Sequence, residues 1–117
     1  MAERLFRWTK KRLREQMAVV RGELAPTVVL KNATYLSFAR RRWLQGNIWI
    51  YDDRIVYVGE KMPECLEETT EIVDCSHRWI VPGYIEHHGH PVQLYNPLEF
   101  AKYSSYMGTT TTINDNL

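Results

Sequence analysis

The stretch VPGYIEHHGH, residues 81–90, divides this chain into a strand-rich region and a mixed one. A proline and a glycine break the preceding strand pattern, and a short apolar run then leads into three histidines within four residues. Beyond it, residues 98–107 favour a helix that Gly108 ends, and the β-branched residues 109–113 favour a strand. The order strand, helix, strand predicts a βαβ unit with a parallel sheet.

The spacing of the histidines indicates which of them can act together. Side chains two residues apart on a strand share a face, so His88 and His90 are expected to point the same way and His87 the opposite way. Gly89 between them leaves room for a ligand to approach. Two imidazoles on one face at the carboxyl end of a strand can bind one divalent cation, which makes His88 and His90 candidate metal ligands.

An HxH pair by itself is also typical of an exposed loop or an adventitious metal binder. Here a strand-like run and a carboxylate, Glu86, precede the pair. The carboxyl end of a strand is where α/β barrels keep their active sites, so the context favours a functional site. Other candidates are weaker: Cys65 and Cys75 are expected to be packing residues, and His77 a surface residue.

Residues 3–22 are predicted to form a helix, because helix-forming residues dominate and Gly22 offers a stop. Leu13, Met17 and Val20 fall on one face at helical spacing. We expect this stripe to dock the helix and its basic side chains to be solvated. A basic helix that contacts RNA or a membrane is the alternative.

Residues 26–81 are predicted to form an antiparallel β-sheet unit that is part of a small sandwich. The predicted strands are 27–30, 32–38, 48–51, 54–58, 71–75 and 78–81. Arg40–Arg42 is interpreted as the exposed tip of one hairpin, and Asp52-Asp53 as the two-residue turn of another. The predicted organisation is therefore an N-terminal helix and linker (1–25), a β-sandwich segment (26–81) and a third segment (82–117).

Composition excludes several classes of protein. A formal net charge of +1 gives no global electrostatic reason to expect nucleic acid or an anionic membrane as a partner. No window approaches the roughly 18 apolar residues of a membrane helix. Two cysteines without a secretory signal are typical of reduced thiols, which predicts a cytoplasmic protein.

The stretch VPGYIEHHGH resembles the PGxIDxHxH signature of the amidohydrolase superfamily. This resemblance implies that the stretch is the first strand of a distorted (β/α)8 barrel and that His88 and His90 bind the metal, with Glu86 where the family has aspartate. The preceding strands resemble the small β-sandwich segment of these enzymes. GTTTTINDN is similar to GTTTVIADPHE of the adenine deaminase branch, which aligns Asp115 with that motif's aspartate.

The resemblance implies a metal-dependent hydrolase that converts adenine and water to hypoxanthine and ammonia, with manganese, iron or zinc as cofactor and a purine base as substrate. A homo-oligomer is compatible with it, since family members are commonly oligomeric. The alternatives are an amidohydrolase acting on cyclic amides, of hydantoinase or dihydroorotase type, and a non-catalytic β-rich binding module. A complete barrel takes about 250 residues. We therefore expect an N-terminal fragment with an incomplete barrel, inactive alone and marginally soluble.

Overall fold

The computed structural model describes residues 9–114, which form two compact units divided between Ile80 and Val81. The first unit contains α1 (Lys10–Val20), β1 (Val28–Ser37), β2 (Arg42–Tyr51), β3 (Arg54–Gly59), β4 (Glu71–Asp74) and β5 (Trp79–Ile80). The second contains β6 (Tyr84–Gly89), α2 (Pro91–Leu94), α3 (Pro97–Tyr106) and β7 (Thr109–Asn114). The protein is thus mixed α/β. None of the described helices has the length and apolar character needed to cross a membrane.

Helix α1 ends as its sequence predicts. Gly22 adopts a φ of 75°, and its N–H donates to the carbonyl of Val19 at 3.1 Å. The N–H of Glu23 donates to the carbonyl of Ala18 at 2.9 Å. This pair of hydrogen bonds is a Schellman motif, which favours glycine because its central residue is left-handed. Residues 3–8 of the predicted helix lie outside the described residues.

The prediction that Leu13, Met17 and Val20 dock the helix is wrong. All three remain about half exposed, and the residue that α1 buries fully is Val19. Arg12 pairs with the carboxylates of Asp52 and Asp53 in the β2–β3 turn. The capped end and this ion pair hold the helix in a position where its apolar stripe lies beside β3 without being buried against it. The basic side chains of the helix are therefore not all solvated, because Arg12 forms ion pairs.

The first unit contains one five-stranded sheet, with β3, β2, β1 and β4 in order and β5 also paired to β1. The β1–β2 and β2–β3 pairs are antiparallel, and their turns fall at the predicted hairpin tips. However, β4 and β5 both run parallel to β1. The predicted purely antiparallel unit is thus wrong, and residues 9–80 show a single mixed sheet rather than two facing sheets.

Two apolar clusters stabilise this sheet, one on each face, since neighbouring strand residues point to opposite sides. The cluster that includes the helix consists of Val19, Val29 and Trp49. The other cluster consists of Ala33, Ile48 and Cys75. Burial of Cys75 confirms it as a packing residue, while Cys65 is half-buried.

The second unit is a parallel βαβ arrangement, as predicted: β6 pairs parallel with β7, and α2 and α3 connect them. Helix α3 begins at an effective cap. The Asn96 side chain accepts from the N–H groups of Leu98 and Glu99, and Pro97 occupies the first turn. Directly after His90 lies the short helix α2, where a proline again sets the first turn and Tyr95 N–H donates to the Pro91 carbonyl.

Candidate metal site

The strand that carries the histidines is aligned by its first residues. The Tyr84 N–H donates to the carbonyl of Gly108 at 2.9 Å, and Tyr84 pairs with Thr109 of β7. A Cβ built on Gly83 would clash with the side chain of Thr110. Glycine is therefore required for the segment that leads into β6 to approach β7 this closely.

An irregularity interrupts the pairing where the histidines begin. Glu86 lies opposite Thr112, and Gly89 lies opposite Asn114, so three residue steps on β6 match two on β7. An extra residue of this kind is a β-bulge, which bends the strand and redirects side chains. The simple alternation that the sequence suggested therefore does not hold from Glu86 to Gly89.

His90 lies one residue beyond β6, at the N-cap of α2, with φ −120° and ψ 59°. The expectation that both histidines belong to one regular strand is wrong for this residue. Their rings nevertheless converge: Nε2 of His88 lies 2.9 Å from Nε2 of His90, and the ring centroids are 4.7 Å apart. The two rings are nearly perpendicular, at 80°.

The converging nitrogens fit one divalent ion. A metal–nitrogen bond to histidine is about 2.0–2.1 Å long. Since 2.9 Å is well under twice that length, one ion can contact both Nε2 atoms. Imidazole nitrogen also suits zinc, iron and related metals chemically. Within residues 9–114, however, no group of three or more histidine, cysteine or acidic side chains is placed to hold a metal. Two imidazole nitrogens are fewer than the three protein ligands of a catalytic zinc site.

Glu86, which was assigned no chemical role from its sequence position, contacts the backbone of His88. Its Oε1 accepts a hydrogen bond from the N–H of His88 at 3.0 Å. The residue is exposed and lies at the edge of the bulge. A carboxylate two residues before a histidine was the signal in the sequence, but only the bent backbone brings the oxygen to that N–H.

The other two histidines are both exposed. His87 is exposed on the bulge, and His77 is exposed in a turn of the first unit with a φ of 62°. Asp115 lies outside the described residues. Asn114, the last described residue, brings its side-chain oxygen beside Gly89: a Cβ built there would lie 3.3 Å from Asn114 Oδ1.

The chain is similar in sequence to several bacterial proteins. Over its full length, the chain is 67% identical to a protein of Halalkalibacterium halodurans named "putative adenine deaminase" and 52% identical to one of Bacillus subtilis with the same description. It is 32% identical over 107 residues to a protein of Bacillus velezensis named adenine deaminase. The chain spans about a fifth of the length of these relatives, 20%, 20% and 18%.

Two further comparisons concern family and fold. No protein-family model matches the chain. A crystal structure of an uncharacterized protein resembles 74% of the chain with a TM-score of 0.54 and 23% sequence identity, and the match covers 25% of that protein. At this identity the likeness concerns the fold alone.

Proposed function

We propose that this chain, which belongs to the adenine deaminase-like branch of the amidohydrolase superfamily, contributes His88 and His90 as two ligands of a divalent metal centre. The observation that carries this proposal is the 2.9 Å separation of the two Nε2 atoms at the carboxyl end of a parallel strand. In the longer protein, the centre serves hydrolytic deamination of adenine to hypoxanthine and ammonia.

The fold supports the location of such a centre. The parallel β6–β7 pair with its helical connection is compatible with the first part of a (β/α)8 barrel, which we infer for the longer protein. Barrel enzymes place catalytic groups at the carboxyl ends of several strands, and β6 ends at the histidines. The remaining ligands and the proton-transferring group then come from strands beyond this chain.

The residues of this chain have a limited part in the chemistry. A divalent ion held by the pair would supply Lewis acidity and would lower the pKa of bound water to about 7. His88 and His90 would hold the ion through Nε2. With only two ligands, against about three in a catalytic zinc site, the isolated chain is expected to show no turnover. We place the protein in the cytoplasm, in agreement with two free thiols.

The metal part of the proposal is tested by titrating the purified chain with Zn²⁺ or Mn²⁺ in a calorimeter. The variants His88→Ala and His90→Ala should each lose the binding heat, because one imidazole rarely holds an ion alone. His87→Ala is the matched control, since it removes a neighbouring exposed histidine and should bind like the wild type. Equal binding by all three variants would contradict ligation by His88 and His90.

The substrate part is tested in a chimera. This chain replaces the matching fifth of the Halalkalibacterium halodurans relative, which is feasible at 67% identity. We expect the chimera to release ammonia from adenine and the same chimera with His88→Ala to lose at least a hundredfold in rate. If neither the chimera nor the unmodified relative deaminates adenine, the substrate assignment is wrong even though the metal site stands.

A further inference from the structure

The bulge in β6 creates a need for a hydrogen-bond acceptor that a regular strand would not have. His88 has no register partner in β7, and the acceptor of its N–H is a side chain rather than a carbonyl of the sheet. An N–H left without an acceptor weakens the local structure and frees the peptide to rotate. Glu86 meets this requirement with Oε1 at 3.0 Å.

That hydrogen bond bears directly on where the His88 ring points. The ring is attached through Cα and Cβ, so rotation of the peptide before His88 would swing Nε2 away from His90. Both residues are on or next to irregular backbone, one in the bulge and the other at a helix N-cap. Little else among the described contacts fixes the peptide of His88, whose side chain is exposed.

We propose that Glu86 is a positioning residue: its carboxylate locks the bulge through the His88 N–H and so holds the two Nε2 atoms together for a metal. This inference rests on the metal ligation proposed above. Glu86 acts through His88, since its Oε1 accepts from the backbone N–H of His88 and not from a ring nitrogen. Groups that orient metal ligands typically change metal affinity by about 10- to 100-fold when removed.

Two substitutions separate the hydrogen bond from the charge. Glu86→Gln keeps a side-chain oxygen that can accept from the His88 N–H, but it removes the negative charge. Glu86→Leu keeps a similar volume and removes the acceptor. Glu99→Leu is the control, since it removes a carboxylate of the same unit that bonds Lys102 instead. All are made in the full 117-residue chain.

The first measurement is Zn²⁺ affinity by calorimetric titration. Glu86→Leu should weaken binding about 10- to 100-fold, while Glu86→Gln and the control should stay within a few-fold of the wild type. The second measurement needs no metal: amide hydrogen exchange of the His88 N–H should accelerate in Glu86→Leu and stay slow in Glu86→Gln. Unchanged exchange at other amides of the chain shows that the variant is folded.

The outcomes are distinct. Wild-type affinity together with unchanged His88 exchange in Glu86→Leu overturns the positioning role. Equal loss in Glu86→Gln and Glu86→Leu also overturns it, because the charge rather than the hydrogen bond would then matter. A wild-type chain that binds no Zn²⁺ contradicts the proposed metal site instead, and the metal-free exchange measurement still decides whether Glu86 holds the bulge.

Discussion

The two units of this chain differ sharply in how their apolar residues are used. Trp49 of the first unit is 4% exposed, while Tyr84 and Ile85 on β6 of the second are 66% and 63% exposed. Every residue of the two core clusters belongs to the first unit. The candidate metal ligands lie in the second.

The difference shows that stability and chemistry are separated along the chain. The first unit buries apolar side chains on both faces of its sheet, which is the main source of folding free energy. The second pairs two parallel strands and leaves their side chains exposed, although parallel sheets are normally covered on both faces. The site is therefore built where the described residues provide the least core of their own.

The largest expected effect is on the core of the first unit. Trp49→Ala should reduce the free energy of unfolding by about 3–5 kcal/mol, because it leaves a cavity between Val19 and Val29. It also removes the Nε1 donor to the Lys61 carbonyl at 3.1 Å. Trp79→Ala is the matched control: at 65% exposed it should cost about 1 kcal/mol or less. Urea unfolding followed by circular dichroism measures both, and equal costs would break the comparison.

A smaller effect is expected at the start of β6. Gly83→Ala places a methyl group against Thr110, which should destabilise the second unit by about 1–3 kcal/mol. Gly89→Ala is the matched comparison, since its new carbon lies 3.3 Å from the Asn114 side-chain oxygen, which can move, and at ordinary contact distance from Pro91 and Glu86. Exchange of the Tyr84 N–H, bonded to Gly108, reports the pairing directly. Faster exchange in Gly89→Ala than in Gly83→Ala would reverse the ranking.

The cap of α3 should contribute about 1 kcal/mol. Asn96→Ala removes the acceptor for the N–H groups of Leu98 and Glu99, so the first turn of α3 should fray. Asn96→Asp retains an acceptor oxygen and is expected to behave like the wild type. Carbon chemical shifts of residues 97–106 measure the helix content, and the first unit should be unaffected. A loss that spread to the first unit would show that the two are coupled.

The smallest effect concerns an exposed carboxylate of the first unit. Hydrogen bonds from the Ser76 hydroxyl and N–H, and from the Asn32 side chain, lower the pKa of Asp74 in the folded protein. A lowered folded-state pKa stabilises the protein above the unfolded value of about 3.9, and this contribution is lost as the pH falls through the folded value. Wild type should thus exceed Asp74→Asn in urea midpoint at pH 6, with the gap narrowing as the pH falls below about 3.9. A gap that stayed constant would refute the assignment.

Local signals in the sequence predicted much of the fold. Gly22, the Asp52-Asp53 turn and Gly108 mark ends of elements where the structure has them, because each depends on conformations that few residues adopt. The parallel pairing of β6 with β7 also followed from the order of elements. By contrast, the direction of β4 and β5 relative to β1 depends on partners distant in sequence, which no local pattern encodes.

The candidate site was predicted in part, and the strand alternation used to predict it is not regular in the structure. Spacing indicated that His88 and His90 would face the same way, yet a bulge interrupts the alternation and His90 lies past the strand. The rings converge because the bent backbone and the start of α2 happen to restore the shared direction. Glu86 could not have been assigned from the sequence, since its contact with His88 exists only once the strand is bent.

What the sequence by itself determined is the kind and order of most parts, together with some of their ends, and it indicated His88 and His90 as candidate metal ligands. Turn-forming residues, caps and hydrophobic periodicity act over a few neighbours, so a local pattern is sufficient for them. Tertiary structure alone decided that Val19 rather than the apolar stripe docks α1, and that Nε2 of His88 and His90 meet at 2.9 Å. Those outcomes depend on packing and strand register between distant residues, where a shift of one position redirects every side chain.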